Sequence, residues 1–141
     1  MMRVLFLAAI AFLLLLPVKS YASVPEKEAA RTIAKQLALE YGVSFALVDY
    51  VITHESSWRP KAIGDMNSTC RKTGKPVRAR GYFQLTECWY GHVSDACAFD
   101  LKCAAKIALP LIKNRSSCMS QFSTCRRYYL NYNNYSELAG I

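Results

Sequence analysis

Apolar and polar positions along the chain alternate with two different rhythms. From Glu26 to Tyr41 the apolar side chains of Ala30, Ile33, Ala34, Leu37, Ala38 and Tyr41 recur at the spacing of one helical face, and Gly42 follows as a stop. Pro25 suits a first helical turn, and Glu26 and Glu28 suit its dipole. A second helical pattern opens after Ser44, a good N-cap, and carries Phe45, Leu47, Val48, Val51 and Ile52 toward Pro60, which forbids continuation. The two patterns predict an antiparallel helical pair.

Residues 64–80 change character. Gly64, Asp65, Asn67, Ser68, Gly74 and Pro76, interleaved with Arg71, Lys72, Lys75, Arg78 and Arg80, predict an irregular loop or small hairpin. A third helix is expected just after Arg80. A fourth is expected from about Asp100 to Asn114, with Ala104, Ala105, Ile107, Ala108 and Leu111 inward and Pro110 kinking or shortening it. The aromatic-rich stretch from Cys118 to Tyr135 reads as helical at its centre. The resulting fold class is mainly α, with one short irregular or β-hairpin segment.

Composition changes this picture at the N-terminus. Of residues 1–22, 18 are apolar; Arg3 precedes the run from Val4 to Val18, and Ser20-Tyr21-Ala22 places small residues where a signal peptidase reads. Residues 1–22 are therefore expected to be a cleaved signal peptide, with one domain at 23–141. The run is shorter than the roughly 20 residues of a spanning helix, so no stable membrane span is expected after cleavage. What remains carries 16 Lys+Arg against 10 Asp+Glu, a basic exported protein whose partners are anionic. Export to the periplasm or the exterior also suits the six cysteines, Cys70, Cys88, Cys97, Cys103, Cys118 and Cys125. An even count fits three disulfides, among 15 connectivities that the sequence does not separate. No tight Cys-x-x-Cys pair accompanies the two histidines, His54 and His92, so neither metal nor cofactor is implied. The basic residues form no helical stripe or nucleic-acid motif, which argues against nucleic acid as a partner.

The residue that promises chemistry is Glu55. On the second helix it lies near Val48, beside Val51 and Ile52, so its carboxylate falls on the inward stripe and in the last turn. Desolvation and the negative helix end both disfavour its ionised form and raise its pKa toward that of a general acid.

Around Glu55 the string His54-Glu-Ser-Ser-Trp-Arg-Pro-Lys-Ala-Ile-Gly-Asp65, followed by Ala79-Arg-Gly-Tyr-Phe-Gln-Leu-Thr86, resembles the signature of the soluble lytic transglycosylases and their lysozyme-like relatives. Glu55-Ser56 matches the helix-ending pair of that family, Pro60 and Ala62 its turn, and Ala79 to Leu85 its second motif, with Tyr82-Phe83 where Leu-Met is usual. The resemblance implies a lysozyme-like helical domain and a peptidoglycan-cleaving enzyme. It casts Glu55 as the catalytic acid and then base, forming a 1,6-anhydro end at the cut N-acetylmuramic acid–N-acetylglucosamine bond. It also implies that Ser56 bonds substrate near the acid and that Gln84 contacts an N-acetyl group or fixes Glu55. Tyr82 and Phe83, with Trp58, Trp89 and Tyr90, would offer stacking faces for sugar rings. The family's late Tyr-Asn pair finds its nearest match in Tyr132-Asn133, although Asn134-Tyr135 follows where a small residue and Gly are usual, leaving Tyr128, Tyr129 and Tyr132 all open as the tyrosine near the acid. The basic loop is expected to border the cleft and the cysteines to staple its far wall.

Small members of this family commonly open the wall for secretion or conjugation machinery, which such an apparatus would make a partner. Two other readings stand beside the first: a hydrolytic lysozyme using Asp65 or a water-positioning group as a second participant, and a non-catalytic saccharide-binding or cationic secreted protein. The second is natural because most glycosidases use two carboxylates.

Overall fold

The computed structural model describes residues 23–139, with side chains as far as residue 131. The expected leader at 1–22 lies outside them. The described chain is mainly helical: α1 (Val24–Tyr41), α2 (Phe45–Ser56), three two-residue strands β1 (Ile63–Gly64), β2 (Ala79–Arg80) and β3 (Leu85–Thr86), then α3 (Glu87–Tyr90), α4 (Asp95–Phe99), α5 (Leu101–Lys113), α6 (Arg115–Gln121) and α7 (Ser123–Ala139). Among the described residues no helix is long and apolar enough to cross a membrane.

The first two helices follow their sequence signals. Glu26 accepts a hydrogen bond from the Ser23 backbone N–H at 2.9 Å, and Gly42 ends α1 in the left-handed region at φ 64°. Ala30, Ala34 and Ala38 are the fully buried positions of α1, and their small size lets α5 pack close through Ala104, Ala105 and Ala108. Helix α2 buries Leu47, Val48, Val51 and Ile52 in the same core. It stops before Pro60: Ser57 and Trp58 both take positive φ, 53° and 63°, and the reversal drives the Trp58 ring into the core, where its Nε1–H donates to Thr53 Oγ1 at 3.0 Å.

One expectation needs correction. The third helix begins at Glu87 rather than just after Arg80, because Arg80 pairs in the sheet and Gly81 to Gln84 form a turn. Helix α5 occupies the expected span and continues through Pro110 to Lys113; the carbonyl left unpaired, that of Lys106, lies on an exposed face where water can satisfy it. The segment after Cys118 is helical at its centre, as expected, and is parted into two helices at Phe122, whose extended backbone breaks the ladder and whose ring is buried.

The segment from Ile63 to Thr86 holds a three-stranded antiparallel sheet in the order β1-β2-β3, with Ile63 opposite Arg80 and Arg80 opposite Leu85. All six cysteines are paired, Cys70 with Cys88, Cys97 with Cys103 and Cys118 with Cys125. The first pins the loop between β1 and β2 to α3, the second ties α4 to the first turn of α5, and the third closes the corner between α6 and α7.

Candidate active site

Glu55 stands half-buried in the last turn of α2. Opposite it are the turn between β2 and β3 and the α6–α7 corner. A cavity of about 430 Å³ lies between these elements, lined among others by Glu55, Asp65, Gln84, Phe122 and Arg126. A second hollow of about 230 Å³ shares Gln84, Thr86 and Phe122 with it and continues to Trp89 and Tyr90. The two form one groove with the carboxylate toward one end.

The Glu55 pKa is raised, chiefly because burial strips water from the carboxylate. A hydrogen bond from Thr124 and the charge of Arg127 oppose the rise, Asp65 adds to it, and His54 lowers it. Thr124 Oγ1 donates to Glu55 Oε1 at 2.8 Å, so among the described residues the late-chain hydroxyl that reaches the acid belongs to a threonine. Tyr128 instead packs edge-on against Tyr50, with ring centroids 5.2 Å apart, and Tyr129 packs against Tyr128 and under Arg115. The side chains of Tyr132 and Asn133 lie outside those described.

Gln84 faces the cavity from a left-handed backbone, φ 49°, and its side-chain N–H donates to the carbonyls of Gly81 at 2.9 Å and Ala62 at 3.2 Å. Of the two neighbouring glycines, Gly81 is a steric requirement and Gly64 leaves room for the Gln84 amide. A Cβ on Gly81, at φ 73°, would overlap the Ala98 carbonyl, and one on Gly64 would sit 2.6 Å from Gln84 Oε1. The Ala-Arg-Gly-x-x-Gln string is therefore a turn that delivers one amide to the groove. Non-glycine residues with positive φ gather around the same place, with Ser57, Trp58, Asp65 and Gln84 all near Glu55, a concentration of strain typical of functional sites.

Other expected contacts are not made. Ser56 is wholly buried and its hydroxyl donates back to Ile52 O at 3.1 Å, which closes the helix end and removes it from any ligand. Tyr82, Phe83 and Trp58 belong to the hydrophobic core, the Tyr82 ring lying edge-on to Trp58 at 6.3 Å, so none of the three offers a stacking face. Trp89, 61% exposed, and half-buried Tyr90 are the aromatics left for that role.

The basic loop is also divided. Arg80, 2% exposed, donates to the carbonyls of Val93 at 2.9 Å and Tyr90 at 3.0 Å and to Asp95 at 2.9 Å. Arg78 bridges Asp95 at 2.8 Å and Glu87. Both guanidiniums fasten the fold rather than border the groove. Lys75 faces a separate hollow with Glu87 and Cys88, and Lys72 reaches the groove's rim by lying 3.8 Å over the Trp89 ring. The cation that lines the groove beside Glu55 is Arg126. Of the disulfides, Cys118–Cys125 holds the groove's wall, while Cys97–Cys103 lies at the α4–α5 corner.

Thr124, Arg126 and Phe122 escape sequence reasoning. Thr124 is 69 positions from its partner, and nothing local distinguishes it beyond the adjacent cysteine. Among the described residues no cluster of His, Cys, Asp and Glu is arranged to hold a metal ion. Comparison of the chain with protein-family models, with curated proteins and with solved structures returns no match.

Proposed function

We propose that the protein is a peptidoglycan lytic transglycosylase of lysozyme-like type, with Glu55 as its single acid and base. The observation that carries the reading is a carboxylate whose pKa is raised by burial, standing in a groove opposite the glutamine-bearing turn that resembles the family's second motif. The resemblance supplies the reaction. Protonated Glu55 gives its proton to the oxygen bridging N-acetylmuramic acid and N-acetylglucosamine, and the substrate's N-acetyl group assists as that bond breaks. Glu55, now a carboxylate, takes the proton of the C6 hydroxyl as that oxygen bonds to C1, closing the 1,6-anhydro ring. Gln84 Oε1 and the exposed face of Trp89 are the groups available to position the glycan along the groove.

One observation favours a second reading. Asp65 lines the same cavity as Glu55, so hydrolysis, with Asp65 activating a water, is the alternative. Purified protein acting on peptidoglycan, with the fragments weighed by mass spectrometry, separates the two: anhydro ends support transglycosylation and reducing ends support hydrolysis. Glu55→Gln is expected to lower the rate by at least about 1000-fold, within the range for loss of a general acid. Stability gives the control. A raised carboxyl pKa contributes stability below the ordinary glutamate value, and that contribution is lost as pH rises through the raised one. At neutral pH Glu55→Gln therefore leaves Tm unchanged or higher. Wall cleavage that survives Glu55→Gln would remove Glu55 from the reaction and favour a saccharide-binding role.

A further inference from the structure

Resting on that reading, Glu55 must act twice without turning, because the proton it gives and the proton it takes are both exchanged with a bound sugar. Something has to hold the carboxylate between the two steps. Thr124 is 1% exposed in the first turn of α7, where a buried hydroxyl ordinarily finds a nearby backbone carbonyl. Its Oγ1 instead donates across the groove wall to Glu55 Oε1. A hydroxyl has one proton to give, so the contact commits that donor wholly to one carboxylate oxygen.

Thr124 is itself held. Its β-branched side chain is stiff about χ1. The next residue, Cys125, is wholly buried and bonded to Cys118, also wholly buried. The corner between them is tied by Phe122 N–H to Cys118 O at 2.8 Å and Cys125 N–H to Phe122 O at 3.1 Å. A threonine set on a stapled corner is a fixed point from which to aim a flexible glutamate.

We propose that Thr124 is the positioning residue for Glu55: it occupies Oε1 and leaves Oε2 toward the groove, so that one oxygen performs both proton transfers. Around the carboxylate stand His54 from α2, Asp65 after β1, Gln84 from the β2–β3 turn, and Arg126 and Arg127 from α7. None of these hydrogen-bonds the carboxylate; among the described side chains Thr124 is the one donor that does.

The test uses the full disulfide-bonded protein. Thr124→Val replaces the hydroxyl with a methyl of similar size, Thr124→Ser keeps the donor, and Thr124→Ala covers the case in which the valine variant does not fold. Three readings are taken on each: the carbon-13 NMR titration of the Glu55 carboxyl, Tm, and the pH–rate profile on peptidoglycan. Loss of a hydrogen bond that favours the ionised form moves the Glu55 midpoint to higher pH, and the alkaline limb of kcat moves with it. Maximal kcat falls roughly tenfold, as expected for one hydrogen bond to a charged group, with KM little changed. Thr124→Ser restores the midpoint and most of the rate. An unmoved midpoint in a folded Thr124→Val or Thr124→Ala protein overturns the proposal, as does a rate loss that leaves the alkaline limb in place. A wild-type protein that cleaves no peptidoglycan sinks the glycan reading alone, and the Glu55 titration then still decides whether Thr124 holds the carboxylate.

Discussion

Helices α1, α2 and α5 meet through alanines and branched aliphatic side chains, most of them fully buried; no disulfide joins them to one another, the one bridge that reaches them being Cys97–Cys103 at the first turn of α5, and none of their residues has a positive φ. The segments from Asp65 to Phe99 and from Arg115 to Cys125 are built differently. They contribute five of the six cysteines, the Arg78–Arg80–Asp95–Glu87 ion network and strands only two residues long. Where the chain writes a face of period 3.6, burial suffices to fix the backbone; where it does not, covalent and ionic links replace it. The groove lies on the seam, taking Glu55 from the packed region and Gln84 and Thr124 from the linked one.

The most severe way to break this comparison is to remove the links. Loop-closure reasoning gives about 3 kcal/mol for Cys70–Cys88 and about 2 kcal/mol for each shorter bridge. Reduction under otherwise native conditions should speed amide exchange in residues 65–78 and 115–125 by at least about 100-fold, while α1, α2 and α5 keep their protection. Simultaneous loss of protection in both regions would show that the division is only geometric. A smaller effect comes from Arg80→Met, which keeps an apolar stem but orphans the carbonyls of Tyr90 and Val93. Denaturant unfolding should register a loss of about 3 kcal/mol, since each orphaned buried acceptor costs about 1–3 kcal/mol. If Arg71→Met, a change in the exposed part of the loop, costs as much, the ion network is not what holds this region.

The mildest test is acid. Asp95 is held well below the ordinary aspartate range by its hydrogen bonds to Arg78 and Arg80. A depressed carboxyl pKa gives stability that is present above the ordinary value near 3.8 and lost as pH falls through the folded one. Tm should therefore drop on acidification below about pH 4, and less steeply in Asp95→Asn. The effect is small because Asp95 is half exposed and solvent screens the pair. Identical slopes for the two proteins would remove Asp95 from the account.

The same division governs what could be read from the amino-acid order. Helices α1, α2 and α5 were legible because periodicity, caps and a terminal glycine agree, and Asp100 and Asn114 do flank α5 as its caps. The start of α3 was not, because Arg80 carries no local sign that it will be buried in a sheet rather than open a helix. Glu55 and Gln84 could be found from their motifs, and both face the cavity. Ser56, Tyr82 and Phe83 sit in those motifs for packing, which a motif cannot distinguish from contact with a ligand. Thr124 depends on a meeting of distant segments, as does the choice of disulfide partners, and neither leaves a trace in local spacing.

The bridge between Cys70 and Cys88 closes a loop that carries Arg71 and Lys72 on the surface, residues at which trypsin-like proteases cut. A single cut anywhere inside that loop leaves the N-terminal fragment, with Glu55, still joined through sulfur to the fragment carrying Trp89 and Thr124. The bridge at Cys118 and Cys125 gives the same protection to a cut at the α6–α7 corner. In a protease-rich setting, such a chain can be nicked in either loop without coming apart.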